Sequence, residues 1–212
     1  MATAIIGLGN IGSRLAKNLV AGGQKIILAD RTLAKAQQLA RDLGGNAVAM
    51  PVADAISESD VVILAIYFDA IRQLISAYSG ALAGKIIVDP SNPIVPDGKG
   101  GFKKIIAADQ SSGQIIAGLL PKGAQLVKAF GTLGAESLAS GPNRSPQRAV
   151  LFYATDHPHA GKVVADLIAA SGFSPVHVGG IDQSIRIEVD GDLHEFGKLR
   201  KLVSVKEAEL LI

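Results

Sequence analysis

Cysteine is absent from the 212 residues, which removes thiol nucleophiles, disulfides, thiolate zinc sites and iron–sulfur ligation together. Any redox chemistry must therefore use a bound cofactor. Long apolar runs are missing too: Val61 to Phe68 is among the longest, well short of the roughly eighteen residues that cross a bilayer. No basic leader precedes the first apolar stretch, Ala4 to Leu8, and Asn10 and Arg14 interrupt it, so an export signal is not expected and the cytoplasm is the default compartment. Nor is there a block of like charge. Lys and Arg number 21 against 19 Asp and Glu, leaving +2, which gives no electrostatic basis for a sequence-independent grip on nucleic acid. Neither membrane nor nucleic acid is an expected partner.

With 48% hydrophobic and 19% charged residues, the chain can bury a large core, and its length suits one domain or one with a small appendage. Short β-branched runs at Ala4–Ile6, Lys25–Ala29, Asn46–Ala49, Val61–Ile66, Lys85–Val88 and Gln125–Ala129 read as buried strands. Between them, Leu33, Ala36, Leu39 and Leu43, then Ile71, Leu74, Ile75 and Tyr78, recur at helical spacing. This alternation predicts a doubly wound, mostly parallel (Rossmann) sheet covered by helices on both faces, with no separate helical substrate domain. A helix near Ser111–Leu120, a strand at Ala149–Ala154, a helix at His157–Ala170 and a strand at Pro175–Val178 extend the sheet, giving a nucleotide-binding domain over 1–180. Residues 181–212 are expected to form a loop and a short helix serving as a lid or dimer contact. Ser204 and Glu207 offer a capping box there, for a helix over Val205–Leu211.

The most specific local signal is Gly7-Leu8-Gly9-Asn10-Ile11-Gly12, directly after the first strand and opening a helix with Leu15, Leu19 and Val20 on its apolar positions. Gly7 permits a tight turn, Gly9 lets the main chain approach a pyrophosphate, and Gly12 lets the helix pack close to the strand. The free amides and the helix dipole then favour phosphate. After the second strand, Asp30 stands where an acid would take the ribose hydroxyls of NAD. Arg31, Thr32 and Lys35 would instead hold the 2′-phosphate of NADP. NADP(H) is expected, with NAD as the other choice. The plain alternatives are an exposed helix-start arginine and an aspartate that caps a helix.

Other nucleotide enzymes are excluded residue by residue. Short-chain dehydrogenases pair a Tyr with a Lys four residues on, but Tyr67, Tyr78 and Tyr153 are followed there by Ile71, Leu82 and His157. No Gly-Lys pair is followed by Ser or Thr, so there is no P-loop. Too few residues remain for the helical second domain of the β-hydroxyacid dehydrogenases.

Four further segments carry a resemblance: Ile86-Ile-Val-Asp89-Pro-Ser91-Asn92-Pro93, Ser111-Ser-Gly, Leu126-Val-Lys128-Ala129-Phe130-Gly131-Thr132 and Gly191-Asp-Leu-His194-Glu-Phe-Gly197. With the glycine turn, the chain resembles the NADPH-dependent deazaflavin-coenzyme (F-420) oxidoreductases, a group whose fold recurs in the cytoplasmic reductase domain of membrane metalloreductases. The resemblance implies hydride transfer between NADP(H) and a flat second cofactor, a deazaflavin, FMN or FAD. It departs at Gly131, where the family usually has Asn, and at Asp30, where many members are neutral.

Hydride transfer between stacked rings asks for little acid–base help. Nicotinamide is expected at the carboxyl ends of the strands, against Ile66, Tyr67, Asn92, Pro93 and Ala129. Ser91, Phe130, Gly131 and Thr132 are expected to face the acceptor, with His194 as a proton donor to it. Pro96–Gly101 is expected to be mobile, and an open acceptor site suggests a homodimer. His157 and His159 flank Pro158 after Asp156, which reads as an N-cap and first helical turn rather than a metal site. Two other functions stay open: a non-catalytic NAD(P) sensor or scaffold, and a reductase of small carbonyl or imine compounds.

Overall fold

The computed structural model describes residues 1–98 and 101–212. Its strands are β1 (Thr3–Ile6), β2 (Ile26–Ala29), β3 (Ala47–Ala49), β4 (Val61–Leu64), β5 (Ile86–Asp89), β6 (Ile94–Pro96), β7 (Phe102–Lys104), β8 (Gln125–Ala129), β9 (Val150–Ala154) and β10 (Ser174–His177). The helices are α1 (Asn10–Ala21), α2 (Leu33–Leu43), α3 (Val52–Ser57), α4 (Phe68–Leu82), α5 (Ser112–Ala117), α6 (Ala135–Ser140), α7 (Pro158–Ala170), α8 (Ser184–Ile187) and α9 (Val205–Ala208). Among the described residues no helix is long and apolar enough to cross a membrane. Residues 99 and 100, inside the segment expected to be mobile, lie outside the described residues; β6 and β7 pair as an antiparallel hairpin on either side of them.

Eight strands form one sheet in the order β10-β9-β8-β5-β4-β1-β2-β3. Every residue of β1 and β4 is buried, which is why these strands read as unbroken apolar runs: both faces are covered. On one face lie Leu15 and Leu19 of α1, Ala36 of α2, Leu138 of α6 and Val164, Leu167 and Ile168 of α7. Ala55 and Ile56 of α3, Phe68, Ile71, Ile75 and Leu82 of α4 and Ile116 of α5 cover the other. The chain is thus a single α/β domain with a mostly parallel sheet.

The sheet does not simply continue beyond β8. Strand β9 runs antiparallel to β8, with Lys128 opposite Ala154 and Ala129 opposite Tyr153, and β10 then runs parallel to β9. Strand β9 starts at the edge where β8 ended, after a connection that carries only the short helix α6. Helix α7, with 13 residues, then returns the chain along β9, so β10 aligns with it.

Two local expectations need correction. Asp156 does not cap α7: its carboxylate accepts the Ile181 amide at 3.0 Å, while the Thr155 hydroxyl accepts the amide of His157 at 3.2 Å and Pro158 opens the helix. The capping box at Ser204 and Glu207 forms in full, but helix α9 ends at Ala208 rather than Leu211. Ile187, Leu193, Val203 and Ala208 pack against Val150, Phe152, Val176 and Val178, so residues 181–212 cover the outer strands and share the domain's core.

Thr155 ties the reversed strand to its neighbour, because its hydroxyl also donates to the Leu126 carbonyl at 2.6 Å. Thr155→Val keeps the shape and leaves the buried Leu126 carbonyl and the His157 amide short of a partner, so we expect a loss of about 1–3 kcal/mol, read as a lower urea midpoint.

Candidate functional site

The carboxyl ends of β1, β2, β4, β5 and β8 lie along one edge of the sheet, and the strand order reverses direction between β1 and β4, the switch point where such sheets hold ligands. The glycine turn occupies it. Gly7 has φ +92°, and a Cβ there would meet Ile66 Cγ2 at 2.3 Å and the Ala65 carbonyl at 2.6 Å. At Gly12 a Cβ would lie 1.9 Å from the Gly7 carbonyl oxygen, so α1 packs against the turn with nothing between. Gly9 differs: a Cβ there would meet no atom within 4 Å. The protein itself has no steric need for glycine at that position. A ligand lying on the backbone would have one, and a pyrophosphate is a group that suits it. Helix α1 begins just beyond, with Asn10 exposed, Ile11 half-buried and no acidic residue in its first turn, so its first amides stay available to an anion.

Asp30, at the end of β2, is committed to the turn. One carboxylate oxygen accepts the Leu8 amide at 2.9 Å and the other the Thr32 amide at 3.2 Å, with the Lys35 ammonium 3.4 Å away. Burial opposes the charge, yet the Leu8 and Thr32 amides and Lys35 outweigh it and hold the carboxyl below its usual range. Leu8 is buried beneath this tether. Arg31 and Thr32 are exposed, and the Arg31 guanidinium makes no hydrogen bond or ion pair among the described residues. Thr32 precedes α2 as its N-cap residue without a side-chain cap.

At the end of β4, Ile66 is half-buried beside Gly7, while Tyr67 is 78% exposed. Ala129 and Phe130 are buried at the end of β8, with Phe130 at φ 65°. Gly131 follows, and a Cβ on it would lie 2.7 Å from the Pro90 carbonyl oxygen, so a side chain there would require that backbone to shift. Pro93 is buried. Ser91 and Thr132 are more than nine-tenths buried, yet their hydroxyl oxygens have no hydrogen-bond partner among the described residues. Buried hydroxyls are rarely left so. Two of them at neighbouring strand ends suit a polar ligand edge.

Asn92 and His194 point to other work. The Asn92 amide donates to the Gly131 carbonyl at 3.0 Å and accepts from the Val189 amide at 2.7 Å. His194 donates from Nε2 to the same carbonyl at 2.9 Å and accepts the Phe196 amide at Nδ1, 3.0 Å away. Both ring nitrogens are engaged, and the side chain is buried. The Glu195 carboxylate takes the Gly134 amide at 2.6 Å and the Ser137 hydroxyl. Residues 188–196 thus form a strap across the ends of β5 and β8, held by polar contacts.

Sequence reading passed over the group beneath the strap. The Lys128 ammonium donates to Asp89 at 2.7 Å, to the Ser91 carbonyl at 2.5 Å and to the Ser112 hydroxyl at 2.9 Å. Glu188 lies 4.0 Å from it and accepts the amides of Ser112 and Gly113, each at 2.9 Å, and the Ser111 hydroxyl at 3.1 Å. Asp89, Lys128 and Glu188 are all at most 2% exposed. The available signal was a lysine inside an otherwise apolar strand.

Two predictions follow from the sterics and the strap. Gly9→Ala should leave stability within about 0.5 kcal/mol and abolish dinucleotide binding, whereas Gly12→Ala should cost about 1–3 kcal/mol or more; thermal melts and nicotinamide-nucleotide titrations check both. Burial lowers the His194 pKa from 6.5 and, with the Lys128 charge, outweighs the Gly131 bond, Glu195 and Asp190, which favour protonation. The neutral ring therefore contributes stability above its ordinary value that is lost as pH falls through the lowered folded value. Melting temperature should drop on acidification more steeply in the parent than in His194→Gln.

Comparison with known proteins places this geometry. The profile of the family described as NADP oxidoreductase, coenzyme F420-dependent, matches residues 2–93. The solved structure of a hypothetical protein, SMa0349, from Sinorhizobium meliloti is 33% identical with a TM-score of 0.84, covering 96% of this chain and 95% of that one. A putative F420-dependent NADP reductase from Arthrobacter sp. FB24 shares the fold at 22% identity and a TM-score of 0.74, with 86% of each chain covered. The metalloreductase STEAP3 of Rattus norvegicus is 30% identical over 184 residues, 87% of this chain, so the chain spans only 35% of that protein's length. The chain belongs to the Rossmann-type NAD(P)-binding oxidoreductase domains related both to the coenzyme F420-dependent NADP oxidoreductases and to the metalloreductase STEAP3.

Proposed function

We propose that this oxidoreductase moves a hydride between NADP(H) and a planar acceptor, a deazaflavin or a flavin. The observation that carries the nucleotide half is the contrast between Gly12, closed by the protein's own backbone, and Gly9, open over the turn. The diphosphate would lie along Gly9 and the first amides of α1. Asp30 is occupied by Leu8, Thr32 and Lys35, so its charge is directed into the turn. That leaves Arg31, with Thr32 and Lys35, to meet a 2′-phosphate, which Arg can hold through two parallel bonds.

The nicotinamide, when bound, supplies or receives the hydride. The chain's part is to hold the ring at the ends of β4, β5 and β8, with Ile66 and Ala129 as apolar neighbours and the Ser91 and Thr132 hydroxyls for its carboxamide or for the acceptor's polar edge. His194 keeps the Gly131 turn in place, its ring nitrogens both committed, so a proton needed by the reduced acceptor comes from solvent. Stacking two rings and excluding water needs no acid–base residue. Tyr67, 78% exposed at the mouth, is placed to cover an acceptor or to contact a second copy in a homodimer.

Arg31→Ala should weaken NADPH by about ten- to a hundred-fold, the worth of a charged hydrogen bond, while NADH changes little; equal losses contradict the phosphate assignment. Turnover is tested by mixing the protein with NADPH and, in turn, deazaflavin, FMN and FAD and following nicotinamide absorbance. Oxidation with one of these acceptors supports the reading. Tight NADPH binding with no oxidation by any of them supports a sensor instead.

A further inference from the structure

Resting on that reading, we infer that the buried Lys128–Asp89 ion pair is a positioning device, which fixes Ser91 so that its hydroxyl is presented to the nicotinamide end of the bound nucleotide. The pair grips Ser91 by both backbone polar atoms. The Ser91 amide donates to one Asp89 oxygen at 2.8 Å, and its carbonyl accepts from Lys128, which also binds the other Asp89 oxygen. Only the Ser91 hydroxyl is left over, buried and without a partner among the described residues. The next residue, Asn92, is held from two further sides by Val189 and Gly131. A segment held at this many points keeps its backbone in one place, and with it the position from which the Ser91 hydroxyl departs.

Stability alone does not account for the pair. Buried ion pairs are often matched or bettered by apolar residues of similar volume, because desolvation offsets the attraction, and Lys128 otherwise sits among Leu126, Val127 and Ala129 in a buried strand. Nor is Lys128 placed to deliver a proton: it is 2% exposed, and its three N–H bonds are spent on Asp89, Ser91 and Ser112. Ser112 brings the start of α5 into the cluster, and Glu188 brings in the strap. The ammonium thereby joins β5, β8, the start of α5 and the strap around one serine. Such a support governs geometry at the half-ångström scale on which hydride transfer depends.

The test compares two ligands that differ only in the group Ser91 would hold: NADPH, and 2′-phospho-ADP-ribose, which lacks the nicotinamide. Three variants are titrated with both: Ser91→Ala, the double variant Lys128→Met with Asp89→Asn, which removes both charges of the pair together, and all three changes combined. We expect Ser91→Ala and the ion-pair variant each to weaken NADPH by up to about ten-fold, with the nicotinamide-free ligand within about two-fold. Because both act through one hydroxyl, the combined variant should lose no more than the larger single effect. Additive losses, equal weakening of both ligands, or no weakening of either overturn the inference while leaving NADP(H) binding intact. Retained binding of the nicotinamide-free ligand reports that a variant is folded; if the ion-pair variant fails that check, Ser112→Ala, which removes one acceptor of the ammonium, is read against the same expectations. A parent protein that binds the nicotinamide-free ligand but not NADPH overturns both this inference and the functional reading.

Discussion

The close approach of α1 to the end of β1, with the Cα of Gly12 against the carbonyl of Gly7, is the constraint on which the rest depends. It brings the amino end of a 12-residue helix onto the switch point of the sheet, and no side chain intervenes. From that contact the turn is drawn tight, Leu8 is buried, its amide meets Asp30, and Gly9 is left as bare backbone. The proposed nucleotide site is therefore a by-product of packing at two glycines and an opening at the third.

Around it the domain divides the work. The half built on β1 to β5 offers backbone and open space. The second half supplies polar side chains that are mostly spent on one another: Lys128 on Asp89, Glu188 on the start of α5, His194 and Asn92 on the Gly131 carbonyl. What these contacts leave unspent is small, chiefly the hydroxyls of Ser91 and Thr132. That pattern suits a reaction in which the protein arranges two aromatic rings and lets the cofactors do the chemistry.

Legibility in the sequence followed the same division. Buried parallel strands announce themselves as unbroken apolar runs, and all six runs in the first 129 residues became strands whose ends moved by only one or two residues. The glycine turn was legible because backbone geometry allows few residue types. Helices α3 and α6, with 6 residues each, are too short to show a period, and a strand's direction leaves no mark in its composition, so the reversal at β9 was hidden. The strap over 188–196 has no periodicity because hydrogen bonds to distant loops hold it. For the same reason His194 and Asn92 looked like ligand-facing groups: their residue types suggested chemistry, and only the fold reveals that their polar atoms are already taken.

The central claim is that a dinucleotide lies on the open backbone at Gly9. Calorimetric titration of the purified protein with NADPH tests it most directly. Saturable binding of one nucleotide per chain is expected, tighter for NADPH than for NADH. No heat of binding for either nucleotide at millimolar concentration, with the protein folded, would contradict it.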